Sequence, residues 1–284
     1  MTAIVAPPTA QPARSVTARL NTVVERYVLF VYTGLAVLYL LLPVVVIVLF
    51  SFNDPPGRSN LVWTRFSLDA WLHPFAAGGL ASAVQISLAI AALSTLVATV
   101  LGTLMALALV RYEFRGKGLT NALVFVPMAT PEIILGASLL TFYVSIGQPP
   151  FFPLSFLTIF IAHVMFNISY VVVTVRARLA NFPSHLEEAA MDLGANESQT
   201  FWKVTFPLIL PGIVGAALLA FSLSIDDFVI TNFTAGRTQT LPMFIYTQAR
   251  VGIPVQVYVI GTVIFLAAVS VVGIPAILRR TAGR

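Results

Sequence analysis

Three carboxylates occur where the sequence is otherwise apolar enough to cross a membrane, and they are the first candidates for chemistry. Glu132 follows Pro131 inside one apolar run, and Asp226 and Asp227 stand together at the end of another. A charged carboxylate at membrane depth costs roughly 3 kcal/mol or more unless it faces a cavity or a partner. A cation that leaves water needs carboxylates or aromatic faces to replace its hydration shell. The three acids therefore predict a path for a cation.

Each of these acids also has a purely structural interpretation. Glu132 is expected near the middle of its helix, where it would be protonated or bonded to a polar side chain of a neighbouring helix. Asp226 and Asp227 would form a solvated helix end. Adjacent residues on a helix diverge by about 100°, so at most one aspartate faces a central path while the other caps or bonds locally. Asp226 is favoured for the path, because it continues the face of Ser222 at i+4.

Several other kinds of chemistry find no support in the sequence. The absence of cysteine excludes disulfides, thiolate metal sites and cysteine nucleophiles. His163 has no second histidine or carboxylate at ligand spacing, so we assign it to packing and give it no role. The nucleotide-binding pattern G-x-x-x-x-G-K-[ST] does not occur. We therefore predict no catalytic residue, no metal site and no bound cofactor, and if ATP supplies the energy, a separate subunit binds it.

The elements that must position the acids are long apolar runs. Hydrophobic residues make up 58% of the chain and charged residues only 10%, against about 25% charged residues in soluble domains. The small residues of the second run, among them Gly102, allow close helix packing in lipid, and Pro127 and Pro131 break the third. The sequence predicts an all-α membrane protein with six transmembrane helices, at residues 28–50, 80–110, 119–146, 154–175, 207–225 and 254–278.

The distribution of positive charge predicts the orientation of these helices. Of the 16 Lys and Arg residues, four lie on one side of the predicted membrane: Arg58, Arg65, Arg237 and Arg250. The others lie on the opposite side: Arg14, Arg19, Arg26, Arg111, Arg115, Lys117, Arg176, Arg178, Lys203, Arg279, Arg280 and Arg284. The positive-inside rule places that second side, with both termini, in the cytoplasm. The net charge of +5 is thus a topology signal and predicts no nucleic-acid partner.

The chain divides into three parts on this basis. Residues 1–25, rich in Ala, Pro and Thr, are predicted to be a disordered cytoplasmic tail. Residues 26–79 comprise the first transmembrane helix and an external loop. Residues 80–284 form the core domain, which contains a long cytoplasmic loop at 177–207.

This loop contains the longest polar stretch between the apolar runs, and its pattern indicates a helix with an apolar face. Leu186, Ala189, Ala190 and Leu193 share one face at spacings of three and four residues, so that face requires a protein partner. Gly194 ends or kinks the helix. A second short helix is expected at 198–204, before a proline.

The same loop carries a recognisable family pattern. Glu188-Ala189-Ala190, then Gly194, then a hydrophobic pair followed by Pro207 resembles the EAA signature of ABC importer permeases. The usual ending is Ile-x-Leu-Pro, and this chain keeps its hydrophobicity but not its identity. In that family the loop forms the coupling helix, which sits in a cleft of the ATPase subunit. The resemblance thus implies that Leu186, Glu188, Ala189, Ala190, Leu193, Gly194 and Pro207 dock onto an ATPase.

Three further stretches narrow the resemblance to one subfamily. PMATPEIILG at 127–136, FSLSIDDFVIT at 221–231 and TLPMFI at 240–245 look like the permeases of spermidine/putrescine importers. The resemblance implies the type I ABC importer permease fold in a bacterial inner membrane. It also implies four partners: a homologous six-helix permease, a dimeric ABC ATPase, an extracytoplasmic solute-binding protein and a polyamine substrate.

Other functions remain alternatives to a polyamine permease. An ABC permease for another small solute would carry the same coupling loop. An ion-coupled secondary transporter would use the intramembrane carboxylates for protons or sodium, but that class usually has more spans and an internal repeat. An intramembrane hydrolase would need a nucleophile and a base on facing helices, and no Ser/His pair has a recognisable spacing.

Overall fold

The computed structural model describes residues 16–146, 153–180, 182–183 and 185–282 of the chain. Regular structure in this part of the chain is helical, with a single isolated antiparallel bridge between Asn53 and Phe66. This confirms the all-α prediction. The helices are α1 (Val16–Phe50), α2 (Asp69–Leu72), α3 (Leu80–Arg111), α4 (Lys117–Ala129), α5 (Glu132–Ile146), α6 (Phe156–Ala180), α7 (His185–Asp192), α8 (Glu197–Thr200), α9 (Phe206–Asp226), α10 (Val229–Thr234), α11 (Leu241–Ala249) and α12 (Val255–Ala282).

The long helices are apolar enough to cross a membrane. Four continuous helical stretches meet this criterion among the described residues: Tyr27–Phe50, Leu80–Arg111, Phe156–Ala180 and Glu197–Asp226. The pair α4 and α5 makes a fifth if it is taken as one bent span. In α12 the apolar stretch Val255–Val271 is shorter than these. The structure therefore supports four to five spans, and a sixth stays a prediction.

The N-terminal helix begins earlier than the first apolar run. Helix α1 starts at Val16, so it extends into the segment 1–25 that was predicted to be a disordered tail. Residues 1–15 of that tail lie outside the described residues. From Tyr27 onward most side chains of α1 are exposed, and the helix packs against α12.

The core of the bundle is formed by α3, α6 and α9. Small residues on α3 allow these helices to approach closely: a β-carbon added at Gly102 would lie 2.7 Å from Val171 on α6. Ala98 and Ala106, one turn before and one turn after Gly102, are fully buried. Such small residues permit the backbone contact on which helix packing in lipid depends. The sequence-based expectation for this helix agrees with the packing.

The third predicted span contains a sharp break. Helix α4 ends at Ala129, α5 begins at Glu132, and the two are bent by 108°. Thr130 has the extended conformation (φ −79°, ψ 129°) that the residue before a proline favours, because the ring of Pro131 disfavours a helical residue at that position. The prediction that Glu132 lies near the middle of a continuous helix was wrong. Glu132 is in the first turn of α5.

The long loop at 177–207 also differs from its prediction at one point. A separate short helix was expected at 198–204, but α8, a π-turn at Phe201–Thr205 and α9 follow one another without a gap. Asn196 and Gln199 form a capping box that starts this run. Pro207 has no N–H to donate, so it interrupts the regular hydrogen-bond pattern of the helix. The π-turn lies directly before this interruption. The proline therefore changes the pitch of the helix and does not end it.

Candidate functional site

The three candidate acids lie together around one cavity. Glu132, Asp226 and Asp227 all line a cavity of about 300 Å³ between the start of α5 and the end of α9. Glu132 is more than 90 residues away from the two aspartates along the chain, so their meeting is a property of the fold. The cavity thus contains three of the ionisable side chains that the sequence places at membrane depth.

Each acid reaches this cavity from a helix break. Glu132 follows the bend between α4 and α5, and Asp226 is the last residue of α9. Asp227 then has an extended conformation (φ −62°, ψ 121°) before α10 begins. Broken helices are a recurrent feature of transport sites, because they turn backbone and polar groups toward a cavity within the membrane.

The remaining lining of the cavity suits a cation. The aromatic rings of Phe166, Tyr170 and Phe228 line it together with apolar side chains and Pro127. Among the described residues that line it there is no Lys or Arg. Carboxylates and the faces of aromatic rings attract ammonium groups, and the absence of a lining cation removes the main source of repulsion.

The two adjacent aspartates have different surroundings. The Asp227 side chain is 7% exposed, and its Oδ2 accepts hydrogen bonds from the Thr231 backbone N–H (2.8 Å) and hydroxyl (2.7 Å). Asp226 is exposed and also lines a neighbouring apolar cavity of about 550 Å³, next to Phe228 and Tyr246. Asp227 therefore bonds locally, and Asp226 is the aspartate with a side chain open to both cavities.

His163 contacts residues of this site, although no role was assigned to it from the sequence. Its ring is 1% exposed, with Nδ1 2.6 Å from the Ser224 hydroxyl and Nε2 2.9 Å from the Thr231 hydroxyl. The same Nε2 lies 3.4 Å from Asp227 Oδ2. All of these partners are more than 60 residues away along the chain, so no local spacing could have revealed them.

The predicted docking helix α7 presents its apolar face outward. Leu193 is 90% exposed, Leu186 and Ala189 are exposed, and Ala190 is half-buried. No residue of α7 is buried by the rest of the described chain. Gly194, which follows the helix, has φ +90° in the left-handed region, and Glu188 and Pro207 are also exposed. The predicted coupling residues are thus available to a partner.

Glu187, the acid next to Glu188, attaches the opposite face of α7 to the helix bundle. It was not identified as a functional residue from the sequence. Its Oε1 pairs with Arg111 at the end of α3 and also accepts a hydrogen bond from the Thr205 hydroxyl in the π-turn. Thr205 is fully buried. These two contacts orient α7 against the bundle, and Glu188 is left free to face outward.

No metal centre appears in the part of the chain that the structure describes, where no group of three or more His, Cys, Asp and Glu residues could hold an ion.

Comparisons with known proteins point to one family. Residues 98–280 match the family described as "Binding-protein-dependent transport system inner membrane component". The chain is 37% identical to the putrescine transport system permease protein PotI of Escherichia coli (strain K12) over 239 residues, which are 83% of this chain and 84% of that protein. It is 35% identical to the spermidine/putrescine transport system permease protein PotC of Haemophilus influenzae over 243 residues, 85% of this chain and 92% of that protein.

A solved structure has a similar fold. It is a bacterial ABC transporter involved in the import of the acidic polysaccharide alginate, whose matching chain has a TM-score of 0.64 and 18% sequence identity. The match covers 89% of this chain and 95% of that one. At this identity the similarity concerns the fold.

Proposed function

Because this chain belongs to the family of inner membrane components of binding-protein-dependent transport systems, we propose that it is a permease subunit of an ATP-driven importer of polyamines. Putrescine or spermidine is the substrate, and the cavity shared by Glu132 and Asp226 is part of its path. The single observation that carries the substrate class is this meeting of carboxylates and aromatic rings at two helix breaks.

The chemistry of the cavity supports a polyamine over an anionic or neutral solute. A polyamine carries two or more ammonium groups joined by methylene chains. Carboxylates and aromatic faces stabilise the ammonium groups, and the apolar lining around Tyr246 and Phe228 accommodates the methylenes. Binding in this path is weak, because the cargo must leave as well as enter, and an extracytoplasmic solute-binding protein makes the initial selection.

The exposed face of helix α7 supports a mechanism in which a separate subunit supplies the energy for transport. Its apolar face docks onto a dimeric ABC ATPase, which binds and hydrolyses ATP, so this chain is a non-catalytic subunit without a cofactor of its own. A homologous six-helix permease completes the path. This chain then has the type I ABC importer permease fold with six transmembrane helices, the sixth formed by α12.

Reconstitution tests this function. The chain, the homologous permease, the ATPase and the binding protein are co-expressed, purified and placed in liposomes. We expect ATP-dependent uptake of radiolabelled putrescine or spermidine that requires the binding protein. Uptake by this chain alone, driven by a proton or sodium gradient, would contradict the proposal.

The proposal places the protein in a bacterial inner membrane with both termini in the cytoplasm. Two contacts group the connecting segments at opposite ends of the bundle, and the positive-inside rule assigns the end with Arg111 to the cytoplasm. The Asn60 N–H donates to the Ile253 carbonyl (3.3 Å), which joins the loop after α1 to the start of α12, and Arg111 pairs with Glu187 at the opposite end of the bundle.

A cysteine scan tests the topology, since the natural chain has no cysteine that would need to be removed. Single cysteines near Thr64 and Thr238 are expected to react with a membrane-impermeant maleimide added to intact spheroplasts. Cysteines near Gly116 and Asn196 should react only after the membrane is opened. Labelling of the Asn196 position from outside would overturn the orientation.

A further inference from the structure

We propose that His163 is a positioning residue of the transport path: it fixes the break between α9 and α10, and thereby sets the position of Asp226 relative to Glu132. The inference rests on the proposed function, since it assigns a role within the same path. His163 lies on α6 and does not line the cavity that contains the acids.

The His163 ring joins the two helices that flank the break. Its Nδ1 lies 2.6 Å from the hydroxyl of Ser224, near the end of α9. Its Nε2 lies 2.9 Å from the hydroxyl of Thr231, in the first turn of α10. One rigid aromatic ring thus holds two helix ends at a fixed separation, and Asp226 is located between them in the chain.

The residue next to Asp226 is fixed by the same network. Asp227 Oδ2 accepts hydrogen bonds from the backbone N–H and the hydroxyl of Thr231, and it lies 3.4 Å from His163 Nε2. These contacts start α10 and hold the extended backbone of Asp227. Because the following residue is immobilised in this way, the direction of the Asp226 side chain is also constrained.

Every polar group in this network has a partner in the tautomer of His163 that carries its proton on Nε2. The Thr231 hydroxyl donates to Asp227, so its oxygen accepts from His163 Nε2–H. His163 Nδ1 then accepts from the Ser224 hydroxyl, whose oxygen lies 3.1 Å from the Ser94 hydroxyl on α3. A buried polar network that is fully satisfied specifies one arrangement of the helices around it.

The network also reaches the helix that carries Glu132. Phe233 of α10 packs directly on α5, where a β-carbon added at Gly136 would lie 2.5 Å from its ring. Gly136 is one helical turn after Glu132. Helix α10 therefore contacts His163 through Thr231 and the Glu132 helix through Phe233. A change at His163 is transmitted to the spacing of the two acids.

The substitution His163→Phe tests this role, because it keeps an aromatic ring and removes both hydrogen-bonding nitrogens. In the reconstituted importer we expect the efficiency of putrescine uptake, Vmax/KM, to fall about tenfold or more, since a displacement of about 1 Å at an active centre can cost about 100-fold. Asn167→Leu is the matched control. Asn167 is fully buried one turn further along α6, and its side-chain polar atoms make no hydrogen bond with any described residue, so uptake should stay within about twofold of the unmodified protein.

A double-mutant cycle distinguishes positioning from a general structural role. If His163 acts through Asp226, His163→Phe should have little further effect once Asp226→Asn is present, because the positioned charge is already gone. A purely structural role predicts that the two effects multiply, and that result would overturn the proposal. Unchanged uptake in His163→Phe alone would also overturn it. If instead Asp226→Asn has no effect in the otherwise unmodified importer, Asp226 is not part of the path. That result would contradict the proposed function of the cavity as well as the role of His163.

A second measurement does not depend on transport. A single cysteine at Val229, which lines the cavity, is treated with a cationic methanethiosulfonate in the assembled complex. Its reaction rate should change severalfold in the His163→Phe background and remain constant with Asn167→Leu. If His163→Phe does not assemble, His163→Gln, which keeps one donor, replaces it in both measurements. Failure of both variants to assemble would identify His163 as a folding residue and overturn the proposal.

Discussion

Replacement of Gly194 by glutamate is expected to abolish substrate-stimulated ATP hydrolysis while the permease remains inserted in the membrane. Gly194 follows α7 with φ +90°, and a β-carbon added there would meet no atom of the described residues within 4 Å. A non-glycine residue in this conformation costs roughly 1–2 kcal/mol, which a membrane-embedded bundle tolerates. A charged side chain beside the exposed Leu193 would, however, be forced into the proposed apolar contact with the ATPase. ATPase activity at saturating binding protein and polyamine measures the effect.

Gly116 provides a matched control for this substitution. It has φ +93° and open space around it, as Gly194 does, and it lies in the loop between α3 and α4 at the same end of the bundle. Gly116→Glu therefore adds the same charge and the same backbone strain outside the proposed docking surface. Coupling should survive in this control. Normal coupling in Gly194→Glu, or an equal loss in both variants, would contradict the docking assignment.

The lengths of the apolar runs along the chain made much of the fold predictable from sequence. Apolar runs of sufficient length identified the helices α3, α6 and α9, because a membrane-spanning helix must satisfy its backbone internally and needs about 20 apolar residues. Their observed ends lie within about five residues of the predicted ones. Helix α9 (Phe206–Asp226) agrees with the predicted 207–225 to one residue at each end, although the helical run also continues back through the π-turn into α8. The family was also predictable, because the EAA-like pattern combines several residues at fixed spacing between two spans.

Features that depend on contacts between distant residues could not be predicted in this way. Two adjacent acids, Glu187 and Glu188, precede the same alanines, and only the positions of Arg111 and Thr205 in the fold decide which one turns inward. The pairing of His163 with Asp227 likewise joins helices that are separated by a whole span. Sequence periodicity describes one helix at a time, so it gives no information about such pairs.

The bend at Pro131 shows a different limit of sequence reasoning. The two prolines indicated a break, but hydropathy described residues 119–146 as one run, which placed Glu132 at mid-helix. The local steric effect of Pro131 on Thr130 instead ends α4, and the 108° bend brings Glu132 to the start of a new helix. In this position Glu132 lines the same cavity as Asp226.

The substitutions Glu132→Gln and Asp226→Asn are expected to reduce polyamine uptake sharply without loss of complex assembly. Each keeps the shape and hydrogen-bonding capacity of the side chain and removes only its charge. A hydrogen bond to a charged partner contributes roughly 1.5–3 kcal/mol, so each change should lower Vmax/KM for putrescine or spermidine about tenfold to a hundredfold. Uptake in proteoliposomes and co-purification of the ATPase are measured on the same preparations.

Glu113→Gln is the control for removal of a carboxylate as such. Glu113 is highly exposed and pairs with Lys117 in the loop between α3 and α4, away from the cavity. Its loss should leave uptake within about twofold of the unmodified protein, since an exposed ion pair contributes at most about 1 kcal/mol. A cation path predicts that Glu132→Gln and Asp226→Asn both impair transport, because both acids line the same cavity. Unchanged uptake in both variants would show that these carboxylates are structural, and the substrate class would then rest on the similarity to polyamine permeases alone.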